Sequence, residues 1–294
     1  MNPLLMFFLS GRAFFAGAAL ISAGAAGGLL LFMKKSTILK ICANLSVLTG
    51  LIFMLISGTP VFSAFYTILI LSVIFFSASL HLMEKIPGIF LIISTALTTL
   101  TVLAAAIMEI PYTMMPELPP AKFAKMYALG DSISGGIGFP GEKTWSEVLH
   151  DKYGVNIDCR AVGGARVETV IPMAKNIKDD NVFILLEIGG NDILRSTPSA
   201  KFAKDLDTLL KTVCTGNRTV AMFALPVPPF RSDYAEIQRS LAEKYNVILI
   251  PKHYFADILT GDKYSADGLH LSNAGHARMA DIIWHLFNRI LNNG

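Results

Sequence analysis

Four apolar runs fill the first 110 residues of this chain, at about 13–33, 38–57, 61–83 and 87–110. Each is close to the twenty or so residues that cross a bilayer as an α-helix, and none carries a charge in mid-span. Charge avoidance of this kind is what hydrocarbon imposes. Residues 1–111 are therefore expected to form a transmembrane domain of about four helices. A secretory leader fits the first run poorly, because "MNPLLMFFLS" places no basic residue ahead of it and three more runs follow.

Lysines occur in the first and third connections, "MKKSTILK" and "HLMEKIPG", whereas the second, near "SGTPV", is uncharged. Cytoplasmic loops collect Lys and Arg. The N-terminus and everything beyond residue 110 are then expected outside, which in a bacterium means an inner-membrane protein with its C-terminal domain in the periplasm or at the outer surface. With no ionisable residue in mid-span, an anchor or scaffold is favoured over a transport path. The hydroxyls of "ISTALTTLT" can bond their own helix or a neighbour. Gly24 and Gly28 allow close packing, read as packing within one bundle rather than as a dimer face.

Composition divides in the same place. Hydrophobic residues make up 53% of the chain and charged residues 16%, too apolar for an ordinary soluble protein. Residues 1–116 hold Arg12, Lys34, Lys35, Lys40 and Lys85 against Glu84 and Glu109; the remaining 20 basic and 20 acidic residues balance. The formal charge of +3 thus belongs to the apolar block. No basic patch marks a nucleic-acid partner. Cys42, Cys159 and Cys214 show no metal-ligand spacing. Whether Cys159 and Cys214 pair is open at this stage.

From residue 112 to 124 a Pro-rich polar stretch reads as a linker. Beyond it, over 125–294, short apolar strands alternate with amphipathic helices, the pattern of an α/β domain. Five strands suit a doubly wound parallel sheet, whose ligands bind beyond the carboxyl ends of the strands. Glycine-rich and polar turns follow four of the strands, carrying Ser132, then Gly163 and Gly164, then Asn191, and finally Asp267 and His270. Together they supply a hydroxyl nucleophile, a base, a carboxylate to orient it, and donors for an oxyanion.

"GDSIS", "AVGGA", "GGND" and "DGLHLS" stand in the order and approximate spacing of the four blocks of the SGNH, or GDSL-type, hydrolase family, and the C-terminal domain resembles that family from about 125 to 292. The resemblance implies a three-layer α/β/α, flavodoxin-like fold and no metal or cofactor. It implies Ser132, Asp267 and His270 as catalytic triad. It implies an oxyanion hole of the Ser132 N–H, the Gly164 N–H and the Asn191 side chain. Two positions depart from the pattern: Ile133 replaces Leu in the first block, and Arg160 stands where the second block usually has Asn.

The other polar residues read more plainly. Asp131 is expected to cap its turn and Asp192 to bond local backbone. His150, His253, His276 and His285 are expected at the surface or in packing, and His81 at a membrane edge. Arg166 and Arg195 read first as solvated and second as contacts for an anionic substrate. Two helices are expected between the third and fourth blocks, with no large insertion. The domain looks most similar to short bacterial thioesterases, lysophospholipases and arylesterases. The expected function is a membrane-anchored serine ester hydrolase acting through an acyl-enzyme. The partners are an acyl-ester substrate, lipid- or envelope-linked, and the bilayer, with no nucleic acid. The alternatives are an O-acetylesterase of a cell-envelope glycan and, less favoured, an inactive membrane scaffold. Acyl length, leaving group and oligomeric state stay open.

Overall fold

The computed structural model describes residues 3–61, 63–259 and 262–291. Phe62, in the third predicted span, and residues 260, 261 and 292–294, in the predicted hydrolase domain, lie outside the described residues. The chain divides into two compact units, one of residues 7–113 with 228–232, the other of residues 1–6, 114–227 and 233–294.

A short helix missed in the sequence, α1 (Pro3–Leu9), comes first; seven residues are too few for a helical period to register. Four long helices follow: α2 (Arg12–Leu30), α3 (Thr37–Ile56), α4 (Ser63–Leu82) and α5 (Ile89–Glu109). All four are long and apolar enough to cross a membrane. Small residues let α2 and α3 approach backbone to backbone. A Cβ on Gly17 would meet Gly50 O at 2.5 Å, and one on Gly24 would meet Ala43 O at 2.6 Å. Gly28 packs instead on Phe76 of α4. Both glycines of the GxxxG thus pack within one bundle.

The hydroxyls divide between the two expected roles. Thr101 Oγ1 donates to Leu97 O in its own helix, while Thr98 Oγ1 donates to Ser72 O on α4 and Ser46 Oγ to Leu20 O on α2. Large apolar side chains such as Ile52, Leu71, Ile74, Leu100 and Ile107 are exposed. Apolar surface on this scale is unfavourable in water and compatible with lipid.

The second unit carries a parallel sheet of β1 (Met126–Gly130), β2 (Ile157–Ala161), β3 (Phe183–Glu187), β4 (Thr219–Phe223) and β5 (Ile248–Ile250), in the order β2-β1-β3-β4-β5. Every residue of β1 and β3 is buried, as expected of strands covered on both faces. The helices are α6 (Ser132–Gly135), α7 (Trp145–Tyr153), α8 (Val167–Lys175), α9 (Gly190–Leu194), α10 (Ser199–Val213), α11 (Ser232–Lys244), α12 (Lys252–Leu259) and α13 (Asn273–Leu291). Local chemistry sets their ends: Thr144 and Glu147 form a capping box on α7, and Gly154 closes it at φ 70°.

Three α-helices, not two, lie among the described residues between the third and fourth blocks. The unexpected one is α12, whose eight residues "KHYFADIL" follow β5 after a single proline. The three cysteines are free thiols. Burial pushes the thiols of Cys159 and Cys214 up to about 11, so both behave as packing residues.

Gly130, the last residue of β1, is level with Ala161 of β2 on one side and Glu187 of β3 on the other. The chain passes from β1 to one flank and then to the other, so the crevice between their following turns is the switch point where such sheets bind ligands. The turns after three neighbouring strands therefore open at one edge.

Candidate active site

The turn after β1 is built around Asp131. Its Oδ1 accepts the Ile133 N–H at 2.9 Å, capping α6, and its Oδ2 accepts Asn191 Nδ2 at 2.8 Å. Asn191 lies on α9, after β3. One side chain therefore fixes both the turn that presents Ser132 and the amide that follows the third strand. An Asn amide has two protons, so one remains beyond the bond to Asp131. Ser132 is the first residue of α6 and half-buried. After β2, Gly164 takes φ +71°, a conformation that glycine reaches without strain. Gly163 has no such requirement. Among the described residues, the backbone N–H groups of Ser132 and Gly164 donate to no acceptor.

The loop between α12 and α13 forms a separate device. Asp267 Oδ1 accepts the N–H groups of Leu269 at 2.9 Å and His270 at 2.8 Å, and its Oδ2 meets His270 Nδ1 at 2.7 Å. The His270 N–H, then the imidazole bond, hold the Asp267 carboxyl far below the usual carboxylate range. An ionised Asp267 only accepts, so Nδ1 carries the proton and Nε2 offers its lone pair. The loop is closed by a bridge between Ser265 and Leu271 and by Ser265 Oγ, which donates to His270 O at 3.1 Å.

The geometry thus joins Asp267 to His270 and Asp131 to Asn191. It does not join Ser132 Oγ to His270 by a hydrogen bond among the described residues. His270 lies within electrostatic reach of Asp131, the neighbour of Ser132, whose carboxyl burial raises above its usual range. Nucleophile and base commonly stand apart until substrate arrives.

Several residues of this edge were not read from the sequence. Glu187, the last residue of β3, is buried; its Oε2 accepts from Ser134 Oγ at 2.8 Å, and Ser134 Oγ accepts from Trp145 Nε1 at 3.2 Å. Burial, then the charge of Asp131, push the Glu187 carboxyl well above the usual range. Burial raises the Asp131 carboxyl as well, against the bonds it accepts from Ile133 and Asn191, so Glu187, raised further, is the neutral member of the pair. The available clue was one acidic residue closing the apolar run "NVFILLE".

The sequence suggests packing or the surface for His276. It is fully buried yet polar in its contacts: Nδ1 accepts the Trp145 N–H at 3.2 Å and Nε2 meets Glu142 Oε1 at 3.2 Å. Glu142 also accepts from the N–H groups of Ile137 and Gly138, which fixes the loop after α6. Asp192 bonds backbone as expected, but not locally. Its Oδ2 accepts the Val167 N–H at 2.9 Å, which caps α8 from a neighbouring turn.

A doubly wound α/β domain with its polar turns at the switch-point edge is the class of protein this unit defines, and comparison with known proteins narrows it. The model of the GDSL-like Lipase/Acylhydrolase family matches residues 128–278, and the chain belongs to that family. The arylesterase of Vibrio mimicus is 27% identical over 159 residues, covering 50% of this chain and 79% of that protein. Esterase TesA of Pseudomonas aeruginosa is 21% identical over 185 residues, covering 56% and 89%. The crystal structures of TesA and of the psychrotrophic esterase EstA from Pseudoalteromonas sp. share the fold. TM-scores are 0.51 for both, at 18% and 23% identity. They cover 57% and 58% of this chain and 99% and 100% of theirs.

Proposed function

We propose that this chain is a membrane-anchored serine ester hydrolase, with residues 1–111 as membrane domain, 112–124 as linker and 125–294 as catalytic domain. The relatives named arylesterase and esterase support an ester as substrate. A third relative, from Escherichia coli and named "Thioesterase 1/protease 1/lysophospholipase L1", is 23% identical over 167 residues and favours an acyl ester of a lipid. The observation that carries the reading is the Asp267–His270 pair at 2.7 Å, which leaves a basic nitrogen bare in the domain that presents Ser132.

In this reading His270 Nε2 removes the Ser132 Oγ proton as Oγ attacks the ester carbonyl. The oxyanion of the tetrahedral intermediate takes the N–H groups of Ser132 and Gly164 and the second amide proton of Asn191. His270 then returns the proton to the leaving alkoxide, and an acyl-enzyme remains on Ser132. Water, activated by the same histidine, releases the acid. Asp267 holds the imidazole tautomer throughout.

The test is a panel of 4-nitrophenyl acyl esters of graded length, lysophospholipids and acetylated glycans, hydrolysed by full-length protein and by Ser132→Ala. Ser132→Ala is expected to lose activity by at least about a thousandfold while keeping its circular dichroism spectrum. Near-normal turnover by a folded Ser132→Ala protein would remove Ser132 from the mechanism. Preferred cleavage of the acetylated glycans would move the substrate to the cell envelope.

A further inference from the structure

Arg166 and Arg195 look alike in the sequence, each following a glycine block. In the structure they differ. Arg166 pairs with Glu168, which Lys201 also holds. Arg160 is likewise engaged by Asp158, and Arg278 by Asp257 O. The exposed Arg195 side chain makes no hydrogen bond or ion pair among the described residues.

Its position is nonetheless defined. The Arg195 N–H donates to Asn191 O at 3.0 Å, so the residue follows Asn191 by one turn of α9. Its guanidinium lies against Gly164: a Cβ built there would be 2.9 Å from Arg195 Nη2. The two carboxylates nearest in sequence to the site's turns offer it no partner. Asp131 is engaged by Ile133 and Asn191, and Asp192 by Val167. A cation without a counter-ion thus stands over the glycine whose N–H faces no acceptor.

We propose that Arg195 recognises an anionic group, phosphate or carboxylate, carried by the ester substrate within a few bonds of the scissile carbonyl. The inference rests on the reading of Gly164 as oxyanion donor and deepens it. A guanidinium binds such oxyanions in a bidentate manner. One set against the glycine at the reacting carbonyl selects esters whose charge lies near the acyl bond. Glycerophospholipid phosphates and the carboxylates of acidic envelope glycans share that chemistry.

The experiment measures kcat/KM for full-length protein in detergent on two matched pairs. One pair is 4-nitrophenyl hemisuccinate against 4-nitrophenyl butyrate; the other is lysophosphatidic acid against the monoacylglycerol of the same chain. The anionic-to-neutral ratio is expected to fall by about tenfold or more in Arg195→Ala, mainly through KM, with partial recovery in Arg195→Lys. A fall confined to the lipid pair supports the proposal with phosphate as ligand, and one confined to the hemisuccinate pair with carboxylate.

A ratio unchanged within twofold in both pairs overturns the proposal. So does an equal loss on all four esters, since Arg195 would then serve the oxyanion itself. Ser132→Ala on the same esters tests the hydrolase reading separately. If the wild-type protein cleaves none of the four, both readings fall.

Discussion

Ser134 Oγ donates to Glu187 Oε2 across 2.8 Å, tying the helix that begins at Ser132 to the last residue of the adjacent strand. Burial and the charge of Asp131 raise the Glu187 carboxyl, so the folded protein keeps a proton there that the unfolded chain gives up. A raised carboxyl favours the fold below its ordinary range and disfavours it increasingly as pH rises above about 4.5. Glu187→Gln keeps the shape and an acceptor without that cost. Its melting temperature is expected to match wild type near pH 4 and to exceed it by a few degrees at pH 8, as thermal melts across pH will show. Glu187→Ala strands the Ser134 hydroxyl donor and is expected to destabilise by about 1–3 kcal/mol.

Gly164 is constrained twice, by φ +71° and by the Arg195 guanidinium. Gly164→Ala is expected to lower kcat on neutral esters by about a hundredfold, since displacing one oxyanion donor costs about that much. Gly163, whose Cβ would enter open space, is the internal control. Gly163→Ala is expected to stay within about threefold of wild type. Equal losses at both glycines, measured with 4-nitrophenyl butyrate, would reassign the donor.

His276 is held below the usual histidine range by burial, against the opposing pull of Glu142. Its Nδ1 accepts from Trp145, so protonation there would set two donors face to face. A histidine kept neutral by folding contributes stability above its unfolded value, near 6.5, and that contribution is lost as pH falls toward the depressed folded value. The margin by which wild-type protein out-melts His276→Gln is expected to be larger at pH 7.5 than at pH 5. His276→Gln is expected to be less stable at pH 7.5 and to show a shallower dependence over that window.

Loop charge makes a prediction about orientation. With lysine in the first and third connections and none in the second, the C-terminus is expected outside the cytoplasm. Alkaline phosphatase joined after residue 294 is expected to be active in a bacterial host, and a fluorescent protein joined there to be dark. The opposite pattern would reverse the topology.

Much of this protein was legible because its chemistry and its punctuation coincide. Turns after buried strands need Gly, Asp and Asn for local reasons, and those turns carry the blocks that name the family. The four long helices were legible because each is an unbroken apolar run of about twenty residues. What escaped depended on distant partners. Nothing around His276 announces Glu142, 134 residues away in sequence. Arg166 and Arg195 were separable only once Glu168 was seen to hold one of them. The helix at 252–259 was too short and too close to a proline to show a period.

The two halves of the site are fastened on different scales. The serine half is tied across the fold by Asp131 to Asn191, 60 residues apart, and by Ser134 to Glu187, 53 apart. The histidine half is held from residue 265 to 270 by bonds that span five residues or fewer. Such short-range bonds open without disturbing the rest of a domain. Inactivation and denaturation are therefore expected to be separate events in this protein. Mild heat or low denaturant is expected to unseat His270 while the sheet persists, and cooling to let the loop re-form on a scaffold that has not come apart.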